Sequence, residues 1–210
     1  MATQRSIRKK KLAPKQERAK ETVAIIIEAT AKVLVKKGYS GATTNHIAEA
    51  AGVSIGSFYR YFKNKDLAVR ALLEYETKRA EALLVGELSK PEITTLGAMT
   101  ERAVATIFNF FCDHFAVWNV FYHELPREGA SQLLTEHFNE CAKIIEAFLV
   151  AHESEVKVSD KSLASLVVVH STVGAFFGTD QKLKQKEKRD FLLREIQDLV
   201  FVYLFAGRSR

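Results

Sequence analysis

The side chains best able to do chemistry are the cations of the first third. Residues 1–70 hold 15 Lys and Arg against 5 Asp and Glu, whereas residues 71–210 hold 16 against 20. A basic front end on a neutral-to-acidic body suits a polyanion, with nucleic acid and anionic membrane as the two obvious partners. A second grouping is aromatic. Phe108, Phe110, Phe111, Phe115, Trp118, Phe121 and Tyr122 fall within 15 positions. Such a cluster makes either an ordinary core or the wall of an aromatic ligand cavity between helices, for which Asp113, His114, Asn119, His123 and Glu124 would supply polar handles. Phe138 and Phe148 would face it from another helix.

Other chemistries find little support. Cys112-x-His114 and His123-Glu124 have metal-ligating residue types but lack the spacing that puts ligands on one helical face, so no metal is expected. There is no nucleophile elbow, phosphate-cradling glycine loop or zinc-protease motif, so neither an enzyme nor a cofactor is expected. Cys112 and Cys141 make no disulfide framework and suggest a reducing compartment. The richest apolar stretch, Ala103 to Tyr122, is interrupted by Asn109, Asp113, His114 and Asn119. A membrane span is therefore not expected. Arg5, Arg8, Lys9, Lys10 and Lys11 precede no apolar run, and residues 1–13 read as a flexible basic arm on a cytoplasmic protein.

The elements that must position these groups are helical, because apolar residues recur at three- and four-residue spacing and rarely alternate. The predicted helices run from about 14–16 to 37, 44–51, 55–61, 64–85, 94–113, 115–123, 130–152, 159–177 and 186–205. On the first, Ala24, Ile27, Ala31, Leu34 and Val35 are expected to share the inward face, with Gly38 as its C-terminal glycine. Thr43 or Thr44, Ser54 and Asn64 are the expected N-caps. Breaks are expected at 126–129 and at the charged stretch 179–185.

The segment from Thr44 to Tyr61 meets the steric demands of a helix-turn-helix. Ala48 is small where a second helix crosses, and Gly52 can take positive φ in the turn. Ile47, Ala51, Val53, Phe58 and Phe62 can fill the wedge between the helices.

These residues, with Ala29, Leu34, Gly38-Tyr39, Thr43-Thr44, Gly52-Val53-Ser54 and the run Phe58-Tyr59-Arg60-Tyr61-Phe62, continued by Asn64-Lys65, resemble the DNA-binding domain of the TetR family of bacterial transcriptional repressors. The resemblance covers residues 16–75. It implies an all-α fold: an N-terminal helix-turn-helix domain (14–63), then an effector-binding and dimerisation domain (64–210) whose first helix (64–85) connects the two. It also implies a homodimer on a palindromic DNA operator, released by a small-molecule effector that is here apolar or aromatic. By position, Thr44, Tyr59 and Lys65 match phosphate contacts; Tyr61 and Lys63 lie beside them. Base reading falls to Asn45, Ser54, Ile55, Ser57 and Arg60, since Asn suits adenine, Arg guanine and Ile a thymine methyl. The resemblance favours the cavity reading for Phe108, Phe111, Phe115, Trp118, Phe121 and Tyr122.

The last two helices carry wide apolar stripes. Leu163, Leu166, Val167, His170, Val173, Gly174 and Phe177 on one, with Leu192, Ile196, Leu199 and Tyr203 on the other, broadened by Phe191, Val200, Leu204 and Phe205, form either an internal core or half of a four-helix bundle across a twofold axis. The resemblance favours the bundle. The same fold could also serve an activator. A general polyanion or membrane-surface binder working through the basic arm is a further alternative.

Overall fold

A computed structural model describes residues 14–90, 95–125, 130–179 and 185–206. The expected basic arm at 1–13, the break at 126–129 and the charged stretch 180–184 lie outside the described residues. Within them every regular element is helical: α1 (Pro14–Gly41), α2 (Thr44–Ala50), α3 (Ile55–Tyr61), α4 (Lys65–Leu88), α5 (Leu96–Asp113), α6 (Phe115–His123), α7 (Ala130–Ala151), α8 (Lys161–Phe177) and α9 (Lys186–Phe201). One π-helical turn, Val202–Ala206, follows α9, where the sequence predicts the helix simply continuing.

The starts of α2, α3 and α4 are defined by local hydrogen bonds. The side chains of Thr43, Ser54 and Asn64 accept from the amides of His46, Ser57 and Leu67, each satisfying an otherwise free N–H at a helix start. Gly52 turns the chain at φ 65°, and the Val53 amide donates back to the Ala48 carbonyl at 3.0 Å. Ala48 itself is buried where α2 packs, which calls for a small side chain there. Ile47 and Phe58 are fully buried beneath it.

The inward face of α1 differs from the expected one. Ile26, Ala29, Thr30, Val33 and Leu34 are buried, whereas Ala24 and Val35 are exposed. Two overlapping three- and four-residue patterns are present on this helix, and the one carrying Ile26 and Val33 meets α2 and α4.

From α4 onward the helices are long. Near its start α4 buries Ala68, Val69, Leu72 and Leu73 with the N-terminal unit, and further on it buries Ala80 and Leu84. A single apolar cluster runs from Ile26 through α4 to Leu204. Among the described residues no single helix is long and apolar enough to cross a membrane. The pair α5 and α6 is bent by 89° at His114.

Candidate nucleic-acid interface and effector cavity

On α3 the i, i+3, i+4 set Phe58, Tyr61 and Phe62 turns inward, which leaves Ser54, Ile55, Tyr59 and Arg60 on the outside. Tyr59 is 52% exposed, and its hydroxyl is 3.2 Å from that of Thr44 at the start of α2. The two hydroxyls are thus held together at the edge of the exposed face. Along that face Ser54 Oγ donates to Ser57 Oγ at 3.0 Å, and the Arg60 guanidinium is 3.5 Å from the same Ser57 oxygen. Asn45 and Lys63 are exposed alongside. Tyr61 departs from this set. Its ring lies with Val23, Ile27 and Leu72 in the groove between α1 and α4, because position 61 shares the inward face of Phe58.

Where α1 ends, the N-terminal unit is tied to the rest of the molecule. Gly38 takes φ 68° and turns the chain, so that the Tyr39 amide donates to Glu124 Oε2 at 2.8 Å. A Cβ at position 38 would stand 2.6 Å from that oxygen. Glycine is therefore required for the backbone conformation, and a Cβ there would also push the Glu124 carboxylate away from the Tyr39 amide. Glu124 directly follows α6, so the bond joins residues 85 apart. The Tyr39 hydroxyl donates to Asp66 Oδ1 at 2.6 Å, and burial together with that carboxylate pushes its pKa up to about 12. Lys65 Nζ donates to the Tyr39 carbonyl at 2.9 Å and sits 4.1 Å from the Tyr39 ring centre. The ammonium assigned to a phosphate is thus engaged within the protein.

Beyond this joint the body encloses an apolar cavity of about 80 Å³ between α4, α5, α7, α8 and α9. Leu84 and Leu88 of α4 form part of its wall, facing Val104 and Ile107 of α5 and Val169 and Thr172 of α8. The expected aromatic lining needs correction. Of the six residues assigned to it, Phe111 alone reaches the wall. Phe108, Trp118 and Phe121 are fully buried in edge-on contacts, with Phe111–Trp118 centroids 5.0 Å apart and Trp118–Phe121 5.7 Å. Phe115 packs on Phe176, and Tyr122 is stacked 4.4 Å from Phe177. Rings of this size fill their own space, and the void is left where shorter aliphatic side chains meet. Phe138 and Phe148 of α7 do line it, whereas none of the five expected polar handles does. His137 and Cys141, both buried, lie there instead. His137 Nδ1 is 3.2 Å from Glu81 Oε1; desolvation nevertheless lowers its pKa, while burial pushes the Cys141 thiol up to about 12. Among the described residues no three His, Cys, Asp or Glu side chains gather where they could hold a metal ion.

The chain matches two family models, "Bacterial regulatory proteins, tetR family" over residues 26–72 and "Tetracyclin repressor-like, C-terminal domain" over residues 95–204. It belongs to the TetR family.

The helix-turn-helix transcriptional regulator TtgR of Pseudomonas putida is 37% identical over 94 residues, which is 45% of this chain and 44% of that protein. The regulator YerO of Bacillus subtilis is 26% identical over 189 residues, covering 83% of this chain and 63% of the relative. The chain thus spans less than two thirds of these curated TetR relatives. The fold is shared with solved structures of two regulators named FadR, the first described as a fatty acid degradation regulator and the second as a transcriptional regulator. That from Bacillus halodurans has a TM-score of 0.74 at 20% identity, covering 91% of this chain and 96% of that one. That from Bacillus subtilis, solved with stearoyl-CoA, has a TM-score of 0.73 at 20% identity, covering 86% and 98%. This chain accordingly combines the TetR-family helix-turn-helix domain with that family's helical C-terminal domain.

One further face of this TetR-family body is apolar and uncovered. Leu163 and Val167 of α8 lie beside Leu199 of α9 and Val202 of the following turn, in one shallow groove. Leu163 is 57%, Leu199 56% and Val202 59% exposed. His170 and Gly174 are exposed too, and Leu166, Leu192 and Tyr203 are half-buried. Ile196 is an exception at 3% exposure: it lies about 60° round α9 from Leu199, on the flank that turns into the core. Leu163 and Val167 belong to the apolar stripe expected on α8, whereas Val202 has no place in the expected set. Their spacing to Leu166 and Leu199 is visible in the sequence, but not which side of each helix the body covers.

Proposed function

We propose that the protein works as a homodimer that binds a palindromic DNA operator and represses transcription until a small apolar effector enters the cavity. One observation supports this most directly: α4 follows α3 after a link of three residues, packs against α1, and further along forms part of the wall of the cavity. A guest that presses on Leu84 or Leu88 acts on the same rigid element that carries the helix-turn-helix.

The exposed apolar face of α8 and α9 is what a twofold partner would cover, through the same patch on each copy. Two recognition helices set by that axis would read half-sites about 34–36 Å apart, or a multiple of it. Thr44, Tyr59 and Lys63 would hold phosphates, joined by Lys65 once its ammonium turns from the Tyr39 carbonyl to the DNA, and Asn45, Ser54, Ile55, Ser57 and Arg60 would read base edges. The effector acts through its differential affinity for the two spacings of the recognition helices, for which about 1–3 kcal/mol of coupling suffices.

Selection of bound fragments from a pool of random duplexes tests the reading. The expected result is an enriched inverted repeat with one helical turn, or a whole multiple, between half-site centres. Uniform retention of all sequences would overturn it in favour of general polyanion binding.

A further inference from the structure

Among the described residues the buried hydroxyls divide four to one. Thr30 and Thr100 donate to the carbonyls of Ile26 and Leu96, Thr77 to that of Glu74, and Ser165 to that of Ser162. Thr172 on α8 is 6% exposed, and its Oγ1 has no hydrogen-bond partner within the protein. A hydroxyl in a helix ordinarily satisfies itself on the preceding turn, so a buried one left over calls for a cause. Thr172 stands in the wall of the cavity.

The other polar groups of that wall are already engaged. Thr100 is bound to the Leu96 carbonyl, and His137 lies against Glu81 and the Cys141 sulfur. The wall holds no Asp, Glu, Lys or Arg. An ion placed among these side chains would lose its hydration with nothing to replace it. A wholly apolar guest would leave the Thr172 hydroxyl as it stands. A neutral guest with one hydrogen-bonding group satisfies that hydroxyl and buries the rest of its surface on aliphatic carbon. At about 80 Å³ the cavity suits a short chain.

We infer that the cavity takes an uncharged amphiphile, a short hydrocarbon body with a single hydroxyl or carbonyl, and that Thr172 recognises its polar group. The inference rests on the effector reading of the cavity given above. Thr172 is then a specificity-determining residue, separating neutral polar guests from both their hydrocarbon and their ionic counterparts.

The full-length protein reports its own occupancy. Trp118 is the sole tryptophan, and its ring is 5.0 Å from Phe111 and 5.8 Å from His137, two residues of the cavity wall. Its fluorescence is followed while 1-hexanol, 1-chlorohexane, hexanoate and hexylammonium are titrated into the wild type and into Thr172→Val, which keeps the side chain's shape and removes the hydroxyl. In the wild type 1-hexanol should bind at least about tenfold more tightly than either ion. Thr172→Val should weaken 1-hexanol about fivefold and leave 1-chlorohexane within about twofold, the effect of one neutral hydrogen bond. Without any guest the variant should melt about 2–4 °C higher, because an unsatisfied buried hydroxyl has been removed. Equal losses for the alcohol and the chloride, no loss for either, an ion binding as well as the alcohol, a lowered melting temperature, or no binding by any of the four would each overturn the inference. Release of operator DNA is measured in parallel. Thr172-dependent binding of 1-hexanol without release supports this inference and counts against the effector reading. Release by both neutral probes alike, indifferent to Thr172→Val, does the reverse.

Discussion

In the N-terminal unit each short helix carries its own start, and its polar side chains face outward around a small wedge of Ile47, Phe58 and Phe62. In the body the arrangement is inverted. Long helices enclose a void lined with carbon and leave Leu163, Leu199 and Val202 exposed on the outside. The first region is complete as a packed object and presents hydrogen-bonding groups to a partner. The second has unfilled apolar surface both within and without, as expected of a part that takes a guest inside and a second copy outside.

Truncating the wedge tests this contrast most severely. Phe58→Ala should cost about 3–5 kcal/mol in urea unfolding, since a fully buried ring is removed from a site too small to collapse around the loss. Leu199→Lys, on the uncovered face of the body, should leave the fold intact. It should raise the dimer dissociation constant about 30-fold or more in sedimentation, equivalent to about 2 kcal/mol. A substitution there that unfolded the chain, or left its association unchanged, would break the contrast.

The joint between the two regions comes next. Gly38→Ala should cost about 1–3 kcal/mol from the backbone alone, since φ 68° with ψ 175° is a conformation essentially reserved for glycine, with a further loss from the clash at Glu124. In a Glu124→Ala background the second part should vanish, and a double-mutant cycle isolates it. Lys65→Ala should weaken binding to all duplexes and lower the slope of log affinity against log salt by about one per protomer. An unchanged slope would mean that Lys65 keeps its bond to the Tyr39 carbonyl on DNA. The smallest effect concerns pH. Tyr39 ionises near 10 in the unfolded chain and near 12 in the folded one, so its contribution is complete below pH 10 and is lost as pH rises towards 12. Tyr39→Phe should lack that alkaline loss in melting curves taken across the window.

The two regions are also unequally legible. The N-caps at Thr43, Ser54 and Asn64, the tight turn at Gly52 and the small residue at 48 all follow from spacings of a few residues, because an i to i+3 hydrogen bond depends on little else. The all-helical class and the break at Gly38 follow in the same way. Where five helices leave a gap depends on how all of them pack, so the aromatic run between Phe108 and Tyr122 signals a dense core and gives no sign of the void beside it. On α1 and α9 two stripes compete on one helix, and only the neighbouring elements decide which is covered; Ile196 and Ala24 fall on the wrong side for that reason. The bond from Tyr39 to Glu124 has no local sign at all.

That bond has an unusual susceptibility to change. Its donor is a main-chain N–H, so the Tyr39 side chain can be exchanged for any other except proline without removing it. Inheritance can therefore retune the connection between the two halves at one end only. Loss of the carboxylate at 124 removes this bond between them, while drift at 39 leaves it standing and is felt by Asp66, Lys65 and the apolar cluster on which the Tyr39 ring packs.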